Sequence, residues 1–107
     1  MKSCSSPRKL SYASIVALPE DSYGIYCIWT KSSCIYVGKA EQQTIGKRLL
    51  QHYANCKNPG LRTWIESSYD LYFRYLEIGN KLAISAIEKK LIVKLSPLAN
   101  VITYRGM

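Results

Sequence analysis

Tyr26 and Tyr36 stand in the run GIYCIWTKSSCIYVGKA, Gly24 two residues before the first and Gly38 two residues after the second. A phenol hydroxyl both donates and accepts hydrogen bonds, and nearby positive charge lowers its pKa from about 10, so it can withdraw a proton from water. Lys39 and Arg48 supply that charge nearby in the sequence. Arginine also suits a phosphodiester, because its planar fork holds two phosphate oxygens and stays charged at any relevant pH. His52 lies one helical turn beyond Arg48 and reads either as a proton-transfer or hydrogen-bonding partner to phosphate or as a solvated side chain on a polar helix face.

Glu88 lies in IEKKLIVKL, and its helical neighbours Ile84, Ser85, Leu91 and Ile92 offer no ion-pair partner. Ile84, Ile87, Leu91 and Leu95 form the apolar stripe beside it. A carboxylate there is costly unless it is paired or bound to a metal. A tertiary salt bridge and a metal site both satisfy that requirement. The tyrosines Tyr12, Tyr23, Tyr53, Tyr69, Tyr72, Tyr75 and Tyr104 read as ordinary packing residues.

These residues need a scaffold. The two halves of the tyrosine run alternate with the period of strands, so residues 23 to 38 read as a hairpin. A three-residue loop at Thr30 to Ser32 places Tyr26 opposite Tyr36, on one face. The same register sets Cys27 opposite Ile35 and Cys34 opposite Ile28, which puts the two thiols on different faces and excludes a disulfide between them. A helix is expected from a Thr44 N-cap to about Asn55, with Ile45, Leu49, Leu50 and Tyr53 buried and Gly46 weakening its first turn. After the turn NCKNPG come a short helix near Leu61 to Ser67, a third strand from Leu71 to Ile78, and a helix from Leu82 to Leu95 closed by Pro97. Residues 1 to 21 read as an N-terminal extension whose LSYASIVAL segment forms a short helix, and 22 to 107 as one domain. The expected architecture is α/β, a small three-stranded antiparallel sheet flanked by helices.

A chain of 107 residues with 15 Lys plus Arg against 7 Asp plus Glu, net charge +8, has room for one small core and favours an anionic partner. The four cysteines show neither a CxxC pair nor a Cys/His cluster, which argues against zinc. There is no apolar stretch of membrane-spanning length and no signal-peptide core, so no membrane partner and a cytoplasmic location with reduced thiols are expected.

The order Gly24-Ile25-Tyr26, Tyr36-Val37-Gly38, Lys39, Arg48 with His52, Glu88, and Asn100 in PLAN resembles the five motifs of the GIY-YIG nuclease superfamily, spread from about residue 22 to residue 102. Within it the stretch YVGKA looks closest to the excinuclease subunit nuclease domain. The resemblance implies a metal-dependent endonuclease acting on nucleic acid, expected to be DNA, by a one-metal mechanism with tyrosine-assisted water activation. In that mechanism Glu88 is the single carboxylate that holds Mg²⁺ or Mn²⁺, Arg48 clamps the phosphate, Tyr36 is the general base and Tyr26 its orienting partner. His52 supports catalysis, while Gly38, Lys39 and Asn100 contact substrate or order the site. Family members take specificity from appended domains that are not visible here, so a partner protein that supplies it is a further expectation. The other reading is a non-catalytic nucleic-acid-binding or partner-docking module with the same fold.

Overall fold

The computed structural model describes residues 4 to 100; Tyr104 lies outside them. Four strands form one antiparallel sheet: β1 (Arg8–Lys9), β2 (Gly24–Trp29), β3 (Cys34–Ala40) and β4 (Tyr72–Glu77), in the order β1-β4-β2-β3. The expectation of three strands is therefore corrected to four. The added strand is only two residues long, directly after Pro7, and no alternation that short is legible in sequence. It is nonetheless anchored on both sides, by Ser5 N–H to Tyr75 O at 2.8 Å and Leu10 N–H to Leu71 O at 2.9 Å.

Helices cover both faces. On one face lie α1 (Tyr12–Val16), α2 (Ile45–Asn55) and α3 (Pro59–Ile65), over a core that includes Ile15, Tyr26, Ile28, Ile35, Leu49 and Phe73. On the other, α4 (Lys81–Leu95) packs Ile84, Ile87 and Leu91 against Ile25, Cys27 and Val37. Side-chain hydrogen bonds cap every helix start, from Ser11, Thr44, Asn58 and Asn80. The chain leaves α4 through Ser96 at φ 46°, a left-handed conformation that stops the helix one residue ahead of Pro97. Among the described residues no helix is long and apolar enough to cross a membrane.

The hairpin register differs from the expected one. Tyr26 faces Gly38 and Tyr36 faces Ile28, with a shift between Ile28 and Trp29 that leaves Trp29 opposite Cys34. The loop is longer than expected, closed by Thr30 N–H to Ser33 O at 2.9 Å, with the Thr30 hydroxyl accepting from the Ser33 N–H at 3.0 Å. The bulge then turns Ile35 and Tyr36 to the same face and returns Cys34 to the other. Cys27 and Cys34 therefore share the α4 face, contrary to the expectation of opposite faces, and the Cys34 thiol donates to Tyr36 O at 3.8 Å. Both are free thiols.

β3 is a sheet edge, and a side chain protects it. Asn100 Oδ1 accepts from Val37 N–H at 2.7 Å and Asn100 Nδ2 donates to Val37 O at 3.0 Å, so one amide completes the ladder between Tyr36 and Gly38. Losing it leaves two buried backbone groups unmet. Asn100→Ala is expected to destabilise the fold by on the order of 2 kcal/mol, read as a melting temperature about 10 °C lower.

Candidate active site

Gly24 and Gly38 let the tyrosines sit where they do. Gly24 adopts φ +149° against the β4 backbone, where a Cβ would run into Leu76 O. Gly38 lies beneath the Tyr26 ring, and a Cβ there would overlap the ring and its hydroxyl. With that space free, Tyr26 lies fully buried across β3, and its ring centroid is 6.3 Å from that of Tyr36.

α2 brings the next residues. Ile45, Leu49 and His52 recur at helical spacing on its buried side. Tyr53, expected in that stripe, is 41% exposed, and His52, weighed as a solvated residue, is 8% exposed. The imidazole takes the inward position because it has a partner there: Tyr26 Oη lies 2.8 Å from His52 Nε2. On its other side Nδ1 lies 3.6 Å from Cys56 Sγ, and the Cys56 thiol donates to Asn58 O at 3.5 Å. These three contacts select one tautomer. With the thiol proton engaged at Asn58, Nδ1–H donates to sulfur, Nε2 accepts, and Tyr26 donates to His52.

Burial, reinforced by Arg48, pulls the His52 pKa down to about 4. Burial also holds the Tyr26 phenol well above its ordinary range, with Tyr36 adding to the shift and the neighbouring Arg48 only partly opposing it. For Tyr26, desolvation outweighs the one guanidinium beside it. Tyr26 is thus a fixed hydroxyl held by a neutral histidine.

The His52 shift also carries a stability prediction. An imidazole that titrates near 6.5 unfolded and about 4 folded makes the unfolded chain bind the extra proton, so stability is lost as pH falls from about 6.5 towards 4 and levels off below. Urea unfolding of the parent and of His52→Gln at pH 7 and pH 4 is expected to show the parent losing about 3 kcal/mol more than the variant. Equal losses would show that His52 takes up its proton as readily in the native state as in the unfolded one.

Tyr36, half-exposed, lies edge-on to His52 at 5.3 Å between centroids. With Arg48, Gln51, His52, Asn55, Lys57 and Asn58 it lines a cavity of about 630 Å³. Arg48 Nη1 donates to Gln51 Oε1 at 2.9 Å, and Gln51 in turn donates to Gln43 at 3.0 Å, which orients the guanidinium. An arginine, a phenol and amide groups around a solvent-open cavity form a donor-rich bed for a phosphate.

Across β3, on the α4 side, Lys39 Nζ donates to Ser85 Oγ at 2.8 Å and pairs with Glu41 at 3.2 Å. Glu88 belongs to this cluster. Burial raises its pKa, Lys39 opposes and Glu41 adds to the rise. No hydrogen bond or ion pair reaches its carboxylate among the described residues, so the tertiary salt bridge weighed from sequence is not formed there. Glu88 is also within electrostatic reach of Tyr26.

The sequence-predicted residues thus fall into three places around one strand. Tyr26, Tyr36, Arg48 and His52 gather on the α2 face, with Gly38 beneath; Lys39 and Glu88 gather on the α4 face; Asn100 sits on the edge between them, its amide spent on Val37. Cys56 was missed, although its position four residues after His52 was a readable signal. Gln51, Asn55, Lys57 and Asn58 also line the cavity, and nothing in their residue types set them apart. Among the described residues no group of three or more His, Cys, Asp or Glu gathers to hold a metal ion.

Comparison with curated proteins finds no match to the chain. The GIY-YIG catalytic domain family matches residues 22–101, which takes in both tyrosine tripeptides, α2, Glu88 and Asn100. The chain therefore belongs to the GIY-YIG family, the superfamily of nucleases built on this domain.

Proposed function

We propose that this chain is a metal-dependent endonuclease that hydrolyses phosphodiester bonds of DNA, with the cavity beside Tyr36 and Arg48 as its catalytic centre. The observation that carries the reading is the pairing of a cavity-lining phenol with an oriented guanidinium, Tyr36 and Arg48, in one cavity at the edge of β3. Arg48 holds the non-bridging oxygens of the scissile phosphate and offsets the charge that develops on them. Tyr36, acting as the phenolate, accepts a hydrogen bond from the attacking water and takes its proton, becoming the neutral phenol. Tyr26 cannot share that task, since it is enclosed and hard to ionise. Its ring against Tyr36 and its hydroxyl against His52 fix the geometry instead.

Glu88 fits a single divalent cation. It is a half-buried carboxylate with no protein donor among the described residues, and Mg²⁺ usually keeps several waters and needs only one or two carboxylates beside substrate phosphate. The bound cation supplies Lewis-acid stabilisation of charge on the phosphate and leaving oxygen. Lys39 stands beside Glu88 as a phosphate contact, and the products are a 5′-phosphate and a 3′-hydroxyl.

With net charge +8 on 107 residues, affinity comes chiefly from phosphate contacts, so binding is expected to fall steeply with salt and to vary little with sequence. Reading several base pairs takes on the order of 1,000 Å² of protein surface, more than this domain can spare, so cleavage is expected to follow DNA structure or a tethered partner. The test is incubation of the purified protein with plasmid and branched DNA, with Mg²⁺, with Mn²⁺ and with chelator. Metal-dependent cutting supports the reading. Salt-sensitive binding without cutting under any of these conditions favours the non-catalytic module.

A further inference from the structure

The sheet carries a second concave site on the face opposite Tyr26 and Tyr36. There α4 packs over β2 and β3, while the side chains that β4 sends to the same face, Tyr72, Arg74 and Leu76, remain half-exposed. Trp29 and Tyr72 are direct cross-strand partners in the β2/β4 ladder, and Arg74 follows Tyr72 two residues on. With Lys31 from the hairpin loop and Pro7 ahead of β1 they line a cavity of about 320 Å³. Arg74 Nε donates to Ser5 O at 2.9 Å, which anchors the guanidinium through one of its N–H groups and leaves the terminal nitrogens for a ligand. No acidic side chain lines the cavity among the described residues.

Two aromatic rings flanked by a guanidinium and an ammonium make a combination that suits an unpaired nucleotide. Bases stack on such rings whatever their identity, and the cations take the adjoining phosphates. A duplex keeps its base faces stacked on one another and can offer only its backbone. We propose that the Trp29, Tyr72, Arg74 and Lys31 groove binds an unpaired stretch of nucleic acid, one base against the rings and its phosphates on Arg74 and Lys31. This rests on the nuclease reading only for the choice of nucleic acid among anions. A strand held here is kept apart from the strand in the Tyr36 cavity, so the protein is suited to a substrate with an unpaired arm. Tyr72 is then a binding residue as well as a packing one.

Trp29 is its own reporter. In Trp64→Phe protein it is the one remaining tryptophan of the two, and its fluorescence can be titrated with oligothymidylate of about ten nucleotides in the presence of chelator. The expected result is saturable quenching, with dissociation constants raised roughly 10-fold in Tyr72→Ala and several-fold in Lys31→Ser. Lys31 is an exposed loop residue, so its replacement keeps the test valid should Tyr72→Ala fail to fold. The same quenching is expected in Glu88→Ala protein, so binding here and cleavage at the other site are read separately. Absence of quenching, equal quenching by a blunt duplex or by polyglutamate, or unchanged affinity in Lys31→Ser would overturn the assignment.

Discussion

Glu88→Gln is expected to leave a folded protein that still binds nucleic acid and cuts it on the order of 10³-fold more slowly or not at all. The estimate follows from the several kcal/mol that a Lewis-acid cation contributes to charge stabilisation in phosphoryl transfer, combined with the isolation of this carboxylate. Among the described residues no group of three or more His, Cys, Asp or Glu gathers here, and the nearby Glu41 carboxylate is already paired with Lys39, so no other carboxylate stands ready to take over its role. The same substitution has a signature in stability. Burial raises the Glu88 pKa above its unfolded value, so the native state favours the protonated carboxyl. The penalty of the charged form is absent below the unfolded pKa and complete once pH has risen past the folded one. Glu88→Gln should therefore be more stable than the parent near pH 7 without added metal, with the advantage fading as pH drops through the carboxylate range. Added Mg²⁺ should stabilise the parent and not the variant. Cleavage at the parental rate by Glu88→Gln would remove Glu88 from the site, and a loss of stability at pH 7 would make it a structural residue.

Why some of this was legible in sequence and some was not follows from the range of the forces involved. Thr44 capping α2 and the end of α4 before Pro97 depend on neighbours a few residues away, and both stand where the sequence put them. The grouping of Tyr26 and Tyr36 on one face survived an error in register, because a shift of two residues conserves the side to which each side chain points. The bulge at the hairpin end is a different matter. It arises from the Thr30 and Ser33 hydrogen bonds within the loop, and a one-residue change there reverses faces, which is why Cys34 landed beside Cys27. His52 and Tyr53 exchanged roles for a long-range reason. Apolar periodicity prefers tyrosine on the buried stripe, but the Tyr26 hydroxyl 26 residues away gives the imidazole a partner that no local pattern records. Asn100 is similar, since its amide meets Val37 across 63 residues.

Tyr36→Phe is expected to lower turnover roughly 10²- to 10⁴-fold, the usual contribution of a positioned general base, while affinity for DNA changes little. Phenylalanine keeps the ring, and with it the edge contact to His52 and the tilted contact to Tyr26, so the fold should survive and the loss should be confined to the hydroxyl. Tyr26→Phe is predicted to behave differently. It removes the hydrogen bond to His52 Nε2 and leaves a buried imidazole nitrogen unmet, which costs stability on the order of 1 to 3 kcal/mol, yet it spares the Tyr36 hydroxyl. Its cleavage rate should fall by less than that of Tyr36→Phe. Cys56→Ala extends the contrast, because it touches neither substrate nor Tyr26 and acts only by releasing the His52 tautomer. Single-turnover rates of the three variants on one nicked or branched substrate, measured against pH, separate these roles. The order Tyr36→Phe slowest, Tyr26→Phe intermediate and Cys56→Ala nearest the parent supports the assignment. A dead Tyr26→Phe beside an active Tyr36→Phe would mean that the enclosed phenol opens to water and passes its proton to His52, making the Tyr26 and His52 pair the base.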